Sequence, residues 1–192
     1  TGIGASVAWH RDGTTHWDSP DFDEGTHGFN FMAQLYGCTS ANGVWVVPGS
    51  HKERYVDIAD MVTRAGSERI EEAIPMICNP GDVVISNRQA VHGSFANTSS
   101  DWRITINQGF HRRKSVLGVK GGGLHGKPAV YDAERIIERS KIIKLAIEAR
   151  KQRFPDEQAF EYKPLSASTE DFTWNAAARK SLHDYNLLDL SI

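Results

Sequence analysis

The chain lacks several features that define specialised protein classes. Only two cysteines, Cys38 and Cys78, occur among its 192 residues, and neither lies in a short-spaced group of Cys and His. This scarcity argues against a disulfide scaffold and a structural zinc site, so we expect a reducing compartment, the cytoplasm. No apolar run approaches the roughly 18 residues that a transmembrane helix needs. Residues 1–4 also lack the basic start of a signal peptide.

The chain also lacks a large excess of charge of either sign. It has 22 Lys and Arg against 24 Asp and Glu, a formal net charge of −2. So small a net charge does not produce a field that attracts nucleic acid or an anionic membrane. The expected partner is therefore a small molecule, with no nucleic acid and no membrane involved.

The sequence contains many short segments typical of β-strands. We expect a single domain over residues 1–192, with a mostly β core over about 1–113 and helices over about 128–192. Turn residues separate the segments, and this series favours a sandwich or barrel over a parallel sheet. The predicted strands are Val7–His10, Gly28–Tyr36, Val44–Val47, Val83–Ser86, Ala90–His92 and Trp102–Phe110.

The last third of the chain has a different pattern. Apolar residues recur with helical spacing over Asp132–Phe154, which predicts a long amphipathic helix that packs on the β core and ends before Pro155. A second, shorter helix is expected within Ser166–Ile192. The glycines at 121–123 predict a flexible hinge between the two parts.

Two His-x-Asp pairs are candidates for metal binding. An Fe(II) oxygenase needs two imidazoles and one carboxylate on one face of the metal, with the other face open. Residues i and i+2 at a strand end point the same way, so one such pair supplies two ligands. His10 and Asp12 follow an apolar run, whereas His16 and Asp18 lie in a polar, acidic loop. We favour the first pair, although the motif alone is weak.

The third ligand must come from a distant strand, and His92 is the candidate. Arg103 follows it by eleven residues, and a guanidinium is well suited to bind the far carboxylate of an oxoacid. Ser94 points the same way as His92 and can donate a hydroxyl to that carboxylate. Thr105 and Asn107 share a face with Arg103 in a regular strand, so we expect them to line the same cavity.

Taken together, these segments resemble the phytanoyl-CoA dioxygenase family of Fe(II)/2-oxoglutarate-dependent oxygenases. They occur in the family order and extend over about residues 7–112. The combination is far more specific than His-x-Asp alone. The matching segments are Trp9-His10-Arg11-Asp12, then Asn42 to Lys52 (NGVWVVPGSHK), Pro80 to Val84 (PGDVV), His92-Gly93-Ser94, Asn97-Thr98-Ser99 and Arg103.

The resemblance implies a double-stranded β-helix core, a cupin-like jelly roll, that binds Fe(II) and 2-oxoglutarate. His10, Asp12 and His92 correspond to the catalytic metal ligands, and Arg103 and Ser94 to the groups that hold the cosubstrate's far carboxylate. The implied reaction hydroxylates a small molecule with O₂ and releases succinate and CO₂. Halogenating relatives replace the carboxylate ligand, which is present here as Asp12.

The chain departs from the family in one respect, and two alternative functions are also compatible with the sequence. Family members usually carry a sizeable segment before the His-x-Asp motif, and here only nine residues precede His10, so we expect that segment to be absent. A cupin-like metal-binding protein without 2-oxoglutarate chemistry keeps the three ligands but gives Arg103 no role. A degenerate, non-catalytic binding protein is the second alternative.

The positions of several other polar residues remain open at this stage. Asn30 and Gln34 share one face of their strand, and that face either reaches the cavity or is exposed. The acidic loop at 18–24 is either a solvated loop or an element that selects a cationic substrate. Four further histidines are expected at the surface: His27, His111, His125 and His183.

Overall fold

The computed structural model describes residues 6–12, 25–121 and 129–188. The chain forms two compact units, residues 1–115 and residues 116–192. That residues 1–192 form a single domain stays a prediction.

The first unit is built mostly of β-strands, as predicted. The strands form two antiparallel sheets, one with the order β1-β6-β3-β4 and one with the order β5-β2-β7. Its elements are β1 (Val7–His10), β2 (Gly28–Gln34), β3 (Val44–Val46), a 3-10 turn (Ser50–Lys52), α1 (Ile58–Ala65), β4 (Ile74–Pro75), β5 (Val83–Asn87), β6 (His92–Ser94) and β7 (Thr105–His111).

The β5-β2-β7 sheet has a polar inner face and an apolar outer face. Asn30, Met32 and Gln34 alternate along β2 and are buried. Phe29 lies on the opposite face, where its ring stacks on that of Phe110 at 4.9 Å. The strand β2 pairs with β7 at seven consecutive positions. This regular pairing determines which side chains point inward.

An apolar core supports the β1-β6-β3-β4 sheet. Its centre is Val91, which is fully buried together with Val47, Ile70 and Ala73. Helix α1 packs against this cluster through residues spaced three and four apart, which places them on one helical face. The partly buried side chains around the cluster are Trp9, Trp45, Val56, Ile58, Met61 and Val62.

His27 corrects one of the surface predictions. It is only 4% exposed, because its Nδ1 lies 2.7 Å from the Ser115 hydroxyl and the Arg112 Nε donates to that same hydroxyl at 2.9 Å. Of the other histidines predicted at the surface, His183 is exposed and His111 is half-buried. His125 lies outside the described residues.

The second unit is mainly helical. Its long helix α3 (Ala133–Arg153) begins where the Asp132 carboxylate accepts a hydrogen bond from the Arg135 N–H, close to the predicted bounds. The other elements are α2 (Arg113–Val116), which spans the boundary between the units, β8 (Lys120–Gly121), β9 (Ala129–Val130), a 3-10 turn (Lys163–Leu165) and α4 (Ala176–Leu188).

A small apolar cluster of Val116, Tyr131 and Ile136 lies within the second unit. That α3 packs on the β core stays a prediction, and most of the predicted glycine hinge lies outside the described residues. No helix in the described parts of the chain combines the length and the apolar character that crossing a membrane requires.

Candidate metal centre

The three predicted ligands lie together in the first unit. His10 and His92 are partners across β1 and β6, and their ring centroids are 4.3 Å apart. Asp12 Oδ1 lies 3.4 Å from His10 Nε2 and 3.7 Å from His92 Nε2. The candidate ligand atoms all lie within 4.8 Å of one another, and no other such group of three or more occurs among the described residues.

A β-bulge contributes to this convergence. Val7 pairs with Ser94 and His10 with His92, so that β1 has one more residue than β6 between the two pairs. An extra residue in one strand bends it and changes the direction of its side chains. The bulge lies immediately before the ligand pair, where it affects how His10 is aimed.

Backbone carbonyls determine which imidazole nitrogen is available for a metal. His10 Nδ1 is 2.7 Å from the Ala8 carbonyl oxygen, and His92 Nδ1 is 3.0 Å from the Ala90 carbonyl oxygen. A carbonyl only accepts hydrogen bonds, so each Nδ1 carries the proton and donates it. In the neutral form of each imidazole, which is the form that binds a metal, the lone pair is therefore on Nε2, the nitrogen that faces Asp12. Without a metal, a proton on His10 Nε2 donates to the Asp12 carboxylate instead.

Electrostatics keep Asp12 ionised. Burial by itself would raise the pKa of Asp12, but hydrogen bonds with His10 and Asn30 outweigh it and hold that pKa well below its usual range. The hydrogen bond to Asp12 in turn raises the pKa of His10. The site thus offers the carboxylate form that metal coordination requires.

Arg11, the middle residue of the His-x-Asp motif, anchors β1 to the 3-10 turn. Its guanidinium donates to the carbonyl oxygens of Ser50 and Glu53, each at 2.7 Å, and of Arg54 at 3.2 Å. These carbonyls lie in and just after the turn, and the Ser50 carbonyl also accepts a hydrogen bond from the Glu53 N–H at 3.2 Å. Arg11 therefore fixes the segment that carries two of the candidate ligands.

The same turn also holds the strand that carries His92. The Ser50 hydroxyl accepts a hydrogen bond from the Val91 N–H at 2.8 Å and donates to the Val47 carbonyl at 2.7 Å. Gly49 precedes it with a φ of +82°, a conformation that favours glycine. The Pro48-Gly49-Ser50 segment thus connects both ligand-bearing segments.

A cavity of about 310 Å³ lies between the two sheets, and the candidate ligands line it. Ser94, Arg103, Thr105 and Asn107 line the same cavity, as the spacing predicts. Asn30 and Gln34 also line it, so their face of β2 points into the cavity and is not exposed. The remaining lining residues are Val7, Met32, Cys38, Val44, Val46, Met76, Val84, Ser86, Asn87, Ala90 and Gly93.

Arg103 is half-buried beside this cavity. Within the parts of the chain that the structure describes, no residue forms a hydrogen bond or ion pair with its guanidinium. A permanently charged fork without an internal partner is suited to an anionic ligand.

The donor set fits a divalent iron ion. Two neutral imidazoles and one carboxylate on one side of an open cavity are the ligands of the facial triad found in non-haem Fe(II) oxygenases. The residues are held in place by a second layer of hydrogen bonds, as is usual for metal ligands. We find no donor in this set that conflicts with iron.

A comparison with known families shows which family this chain belongs to. Residues 1–105 match the phytanoyl-CoA dioxygenase (PhyH) family. The chain belongs to this family. The match covers the candidate ligands, Ser94 and Arg103. No curated protein matches the sequence.

Several solved structures are partly similar to this member of the PhyH family. EvdMO1 is 28% identical over 57% of this chain and 24% of its own, with a TM-score of 0.45. AviO1 from Streptomyces viridochromogenes Tue57 is 26% identical over 59% and 46%, with a TM-score of 0.43. HygX from Streptomyces hygroscopicus, with nickel and 2-oxoglutarate bound, is 14% identical over 58% and 52%, with a TM-score of 0.44.

This chain therefore spans between a quarter and about half the length of these structures. Membership of the PhyH family follows from the sequence match and does not depend on these partial likenesses.

The alternative pair of candidate ligands lies outside the described residues, as does the acidic loop around it. This pair is His16 and Asp18.

Two features of the site have no clear signal in the sequence. Cys38 and Cys78 lie opposite each other and exchange backbone hydrogen bonds of 2.8 and 3.0 Å, with both thiols free. Burial and the neighbouring Cys38 raise the pKa of Cys78 to about 11, so it stays a thiol. The other feature is Arg88, which is buried behind Asn30.

Proposed function

We propose that this chain is the catalytic domain of an Fe(II)/2-oxoglutarate-dependent dioxygenase that hydroxylates a small molecule with O₂. His10, Asp12 and His92 hold the iron, and Arg103 and Ser94 hold the far carboxylate of 2-oxoglutarate. The observation that carries the proposal is the shared cavity, which is lined by the three candidate ligands and by an Arg103 guanidinium that has no partner among the described residues. Membership of the PhyH family supports it.

The same observations support a double-stranded β-helix for the β core. Two antiparallel sheets enclose the cavity, and inward-pointing residues of both sheets line it. Such a jelly roll keeps the ligands on rigid strands while one end of the cavity stays open to small molecules.

Each candidate residue has a distinct task in this proposal. His10 and His92 present Nε2 lone pairs, and Asp12 supplies the negative charge that neutralises part of the metal's charge. When bound, Fe(II) with 2-oxoglutarate supplies the oxidising power for hydroxylation and releases succinate and CO₂. The cavity walls orient the substrate and keep water away from the reacting centre.

Arg103 selects a dicarboxylic cosubstrate. Its guanidinium forms two parallel hydrogen bonds with a carboxylate, and Ser94, which is 7% exposed, adds a hydroxyl donor. A cupin-like metal-binding protein without 2-oxoglutarate chemistry gives this arginine no ligand. Because Arg103 has no partner in the described part of the chain, it favours the dioxygenase over that alternative.

The decisive experiment is an anaerobic titration of the iron-loaded protein with 2-oxoglutarate. A visible charge-transfer band develops only when the cosubstrate chelates the metal. We expect Arg103→Ala to weaken 2-oxoglutarate binding by one to three orders of magnitude, because breaking a partly buried charged contact costs about 2–5 kcal/mol. Arg103→Lys rescues binding only in part, since a point charge does not reproduce the fork.

Iron affinity and a second arginine provide the controls. Arg103→Ala leaves iron binding intact because Arg103 is not a ligand, and Arg64→Ala, a change in an exposed arginine of α1, alters neither affinity. A wild-type protein that binds iron but shows no band indicates the cupin-like alternative. A protein that binds no iron indicates the degenerate one. Succinate release in a screen of small metabolites then identifies the substrate.

A further inference from the structure

A buried chain of hydrogen bonds leads from Arg88 to the carboxylate of Asp12. The Arg88 Nη1 donates to Asn30 Oδ1 at 2.6 Å, and the Asn30 Nδ2 donates to Asp12 Oδ2 at 2.5 Å. Arg88 is 6% exposed and Asn30 is 3% exposed. Neither residue belongs to the group of candidate ligands.

The chemistry of the two end groups determines how the Asn30 amide is oriented. A guanidinium only donates hydrogen bonds, and a carboxylate only accepts them. The Asn30 oxygen must therefore face Arg88, and its nitrogen must face Asp12. A reversed amide would break both contacts, which are costly to lose in a buried site.

This orientation assigns different roles to the two oxygens of Asp12. Oδ2 is occupied by the Asn30 amide, whereas Oδ1 faces the Nε2 atoms of His10 and His92 at 3.4 and 3.7 Å. Rotation of the carboxylate would break the hydrogen bond to Asn30. The contact therefore holds Oδ1 toward the imidazoles and keeps Oδ2 away from them.

The backbone of β2 and β7 provides space for Arg88. A Cβ atom added at Gly109 would overlap Arg88 Nη1 and lie 3.3 Å from Cζ, and one added at Gly28 would lie 3.0 Å from Arg88 Cδ. The Arg88 carbonyl oxygen also accepts a hydrogen bond from the Asp12 N–H at 2.9 Å. Arg88 thus lies in a channel that two glycines leave open, and it contacts Asp12 through both its backbone and Asn30.

We propose that Arg88 and Asn30 are positioning residues, which orient Asp12 so that it binds the metal through Oδ1 alone. This inference rests on the proposed metal centre and extends it to two residues outside the group of candidate ligands. Single-atom binding by Asp12 leaves one more coordination position for other ligands than binding through both oxygens. The described hydrogen bonds of the Arg88 side chain reach Asp12 through Asn30, so its part in orienting the carboxylate depends on that amide being present.

The test measures Co(II) binding to the metal-free protein by calorimetry and by the visible Co(II) spectrum. Loss of an outer hydrogen-bond partner of a metal ligand costs roughly 10–100-fold in affinity. We expect that loss, with a changed spectrum, for Asn30→Ala and a smaller loss for Arg88→Met, which retains the bulk of the side chain. Adding Arg88→Met to Asn30→Ala causes little further loss, because coupled residues are not additive.

Two further variants keep the result interpretable. We call the chain of contacts from Arg88 through Asn30 to Asp12 the relay. Gly109→Ala adds a methyl group on β7 that displaces the Arg88 guanidinium. It should weaken Co(II) binding although Arg88, Asn30 and Asp12 are all unchanged. Gln108→Ala removes an exposed amide from that strand and should leave Co(II) affinity and spectrum unchanged. Thermal melting of each metal-free variant shows that it is folded.

The outcomes separate this inference from the proposed function. If wild type binds no Co(II), or if Asp12→Ala binds it as tightly as wild type, the metal centre is wrong. The relay of Arg88 and Asn30 to Asp12 then fails with it. If wild type binds Co(II) in that way but Asn30→Ala binds it equally tightly, the relay is overturned and the centre stands. Independent, multiplicative losses for Asn30→Ala and Arg88→Met also overturn the relay.

Discussion

The two sheets around the cavity are held together in different ways. The sheet that contains β1 and β6 carries all three candidate ligands on or beside strands of three or four residues, and its pairing is interrupted by a bulge. The β5-β2-β7 sheet is a regular ladder in which β2 is paired on both sides. The first sheet relies on hydrogen bonds to the 3-10 turn: Arg11 donates to the Ser50 carbonyl, and the Ser50 hydroxyl accepts from the Val91 N–H.

This difference separates two requirements of the site. Metal ligands must converge from several directions, and a short, bulged strand allows that at the expense of ladder hydrogen bonds. Groups that line a cavity need only face inward, which regular alternation along β2 provides. Asn30 connects the two, because it belongs to the regular sheet and contacts a ligand of the irregular one.

The largest expected effect concerns the ligands of the irregular sheet. Mn(II) at about 100 times its dissociation constant should stabilise the wild-type protein by roughly 2.7 kcal/mol. His10→Ala or His92→Ala should remove most of the resulting shift in melting temperature, since each loses one of three ligands. Differential scanning fluorimetry with and without Mn(II) measures this.

Matched variants define the specificity of that loss. His51→Ala should keep the full Mn(II) shift, because His51 lies in the 3-10 turn outside the ligand group. Asp12→Ala should lose the shift and Asp18→Ala should keep it. An undiminished shift in both His10→Ala and His92→Ala would contradict the centre, and the reverse result for the two aspartates would point to His16 and Asp18.

An intermediate effect is expected at the turn that anchors this sheet. Ser50→Ala leaves the buried Val91 N–H without its side-chain acceptor, which should reduce the free energy of unfolding by about 1–3 kcal/mol. It should also weaken Mn(II) binding, because the strand that carries His92 loses an anchor. Urea denaturation and metal titration measure the two effects. Ser100→Ala, at an exposed position, should change neither; equal behaviour of both variants would show that the turn does not hold the ligands.

The smallest effect is expected in the regular sheet. Thr105→Val removes the hydroxyl that donates to Gln34 Oε1 at 2.7 Å, at a cost of about 0.5–1.5 kcal/mol in the free energy of unfolding. Mn(II) affinity should not change, since the backbone pairing of β2 and β7 is preserved. A loss of Mn(II) affinity similar to that of Ser50→Ala would remove the contrast between the two sheets.

Local patterns predicted most of the strands, whereas the set of candidate ligands depended on the resemblance to the family. Alternation along β2 and the turn before β5 are visible in the sequence because they depend on neighbouring residues. The start of β6 was predicted at Ala90, but the Ala90 N–H bonds to the Asn87 carbonyl in a turn, so the strand begins at His92. Boundaries shift in this way because a turn and a strand end compete for the same backbone groups.

The supporting residues of the site could not be predicted in the same way. Arg88 resembles any charged residue between two strands, and only the tertiary fold places it in the channel beside Gly28 and Gly109. His27 was expected at the surface for the same reason, since its partner Ser115 is remote in the sequence. Contacts between distant positions leave no periodic signal in a single sequence.

The pairing of His10 with His92 has a consequence for folding. The two residues are about 80 positions apart in the chain, and bringing them together closes a loop that includes nearly the whole β core. Closing so long a loop has an entropic cost, which the contacts among the assembled strands must offset. Such non-local contacts also make folding slow. Any fragment that retains the pair must include residues 10–92, so metal binding reports on the integrity of most of the β core.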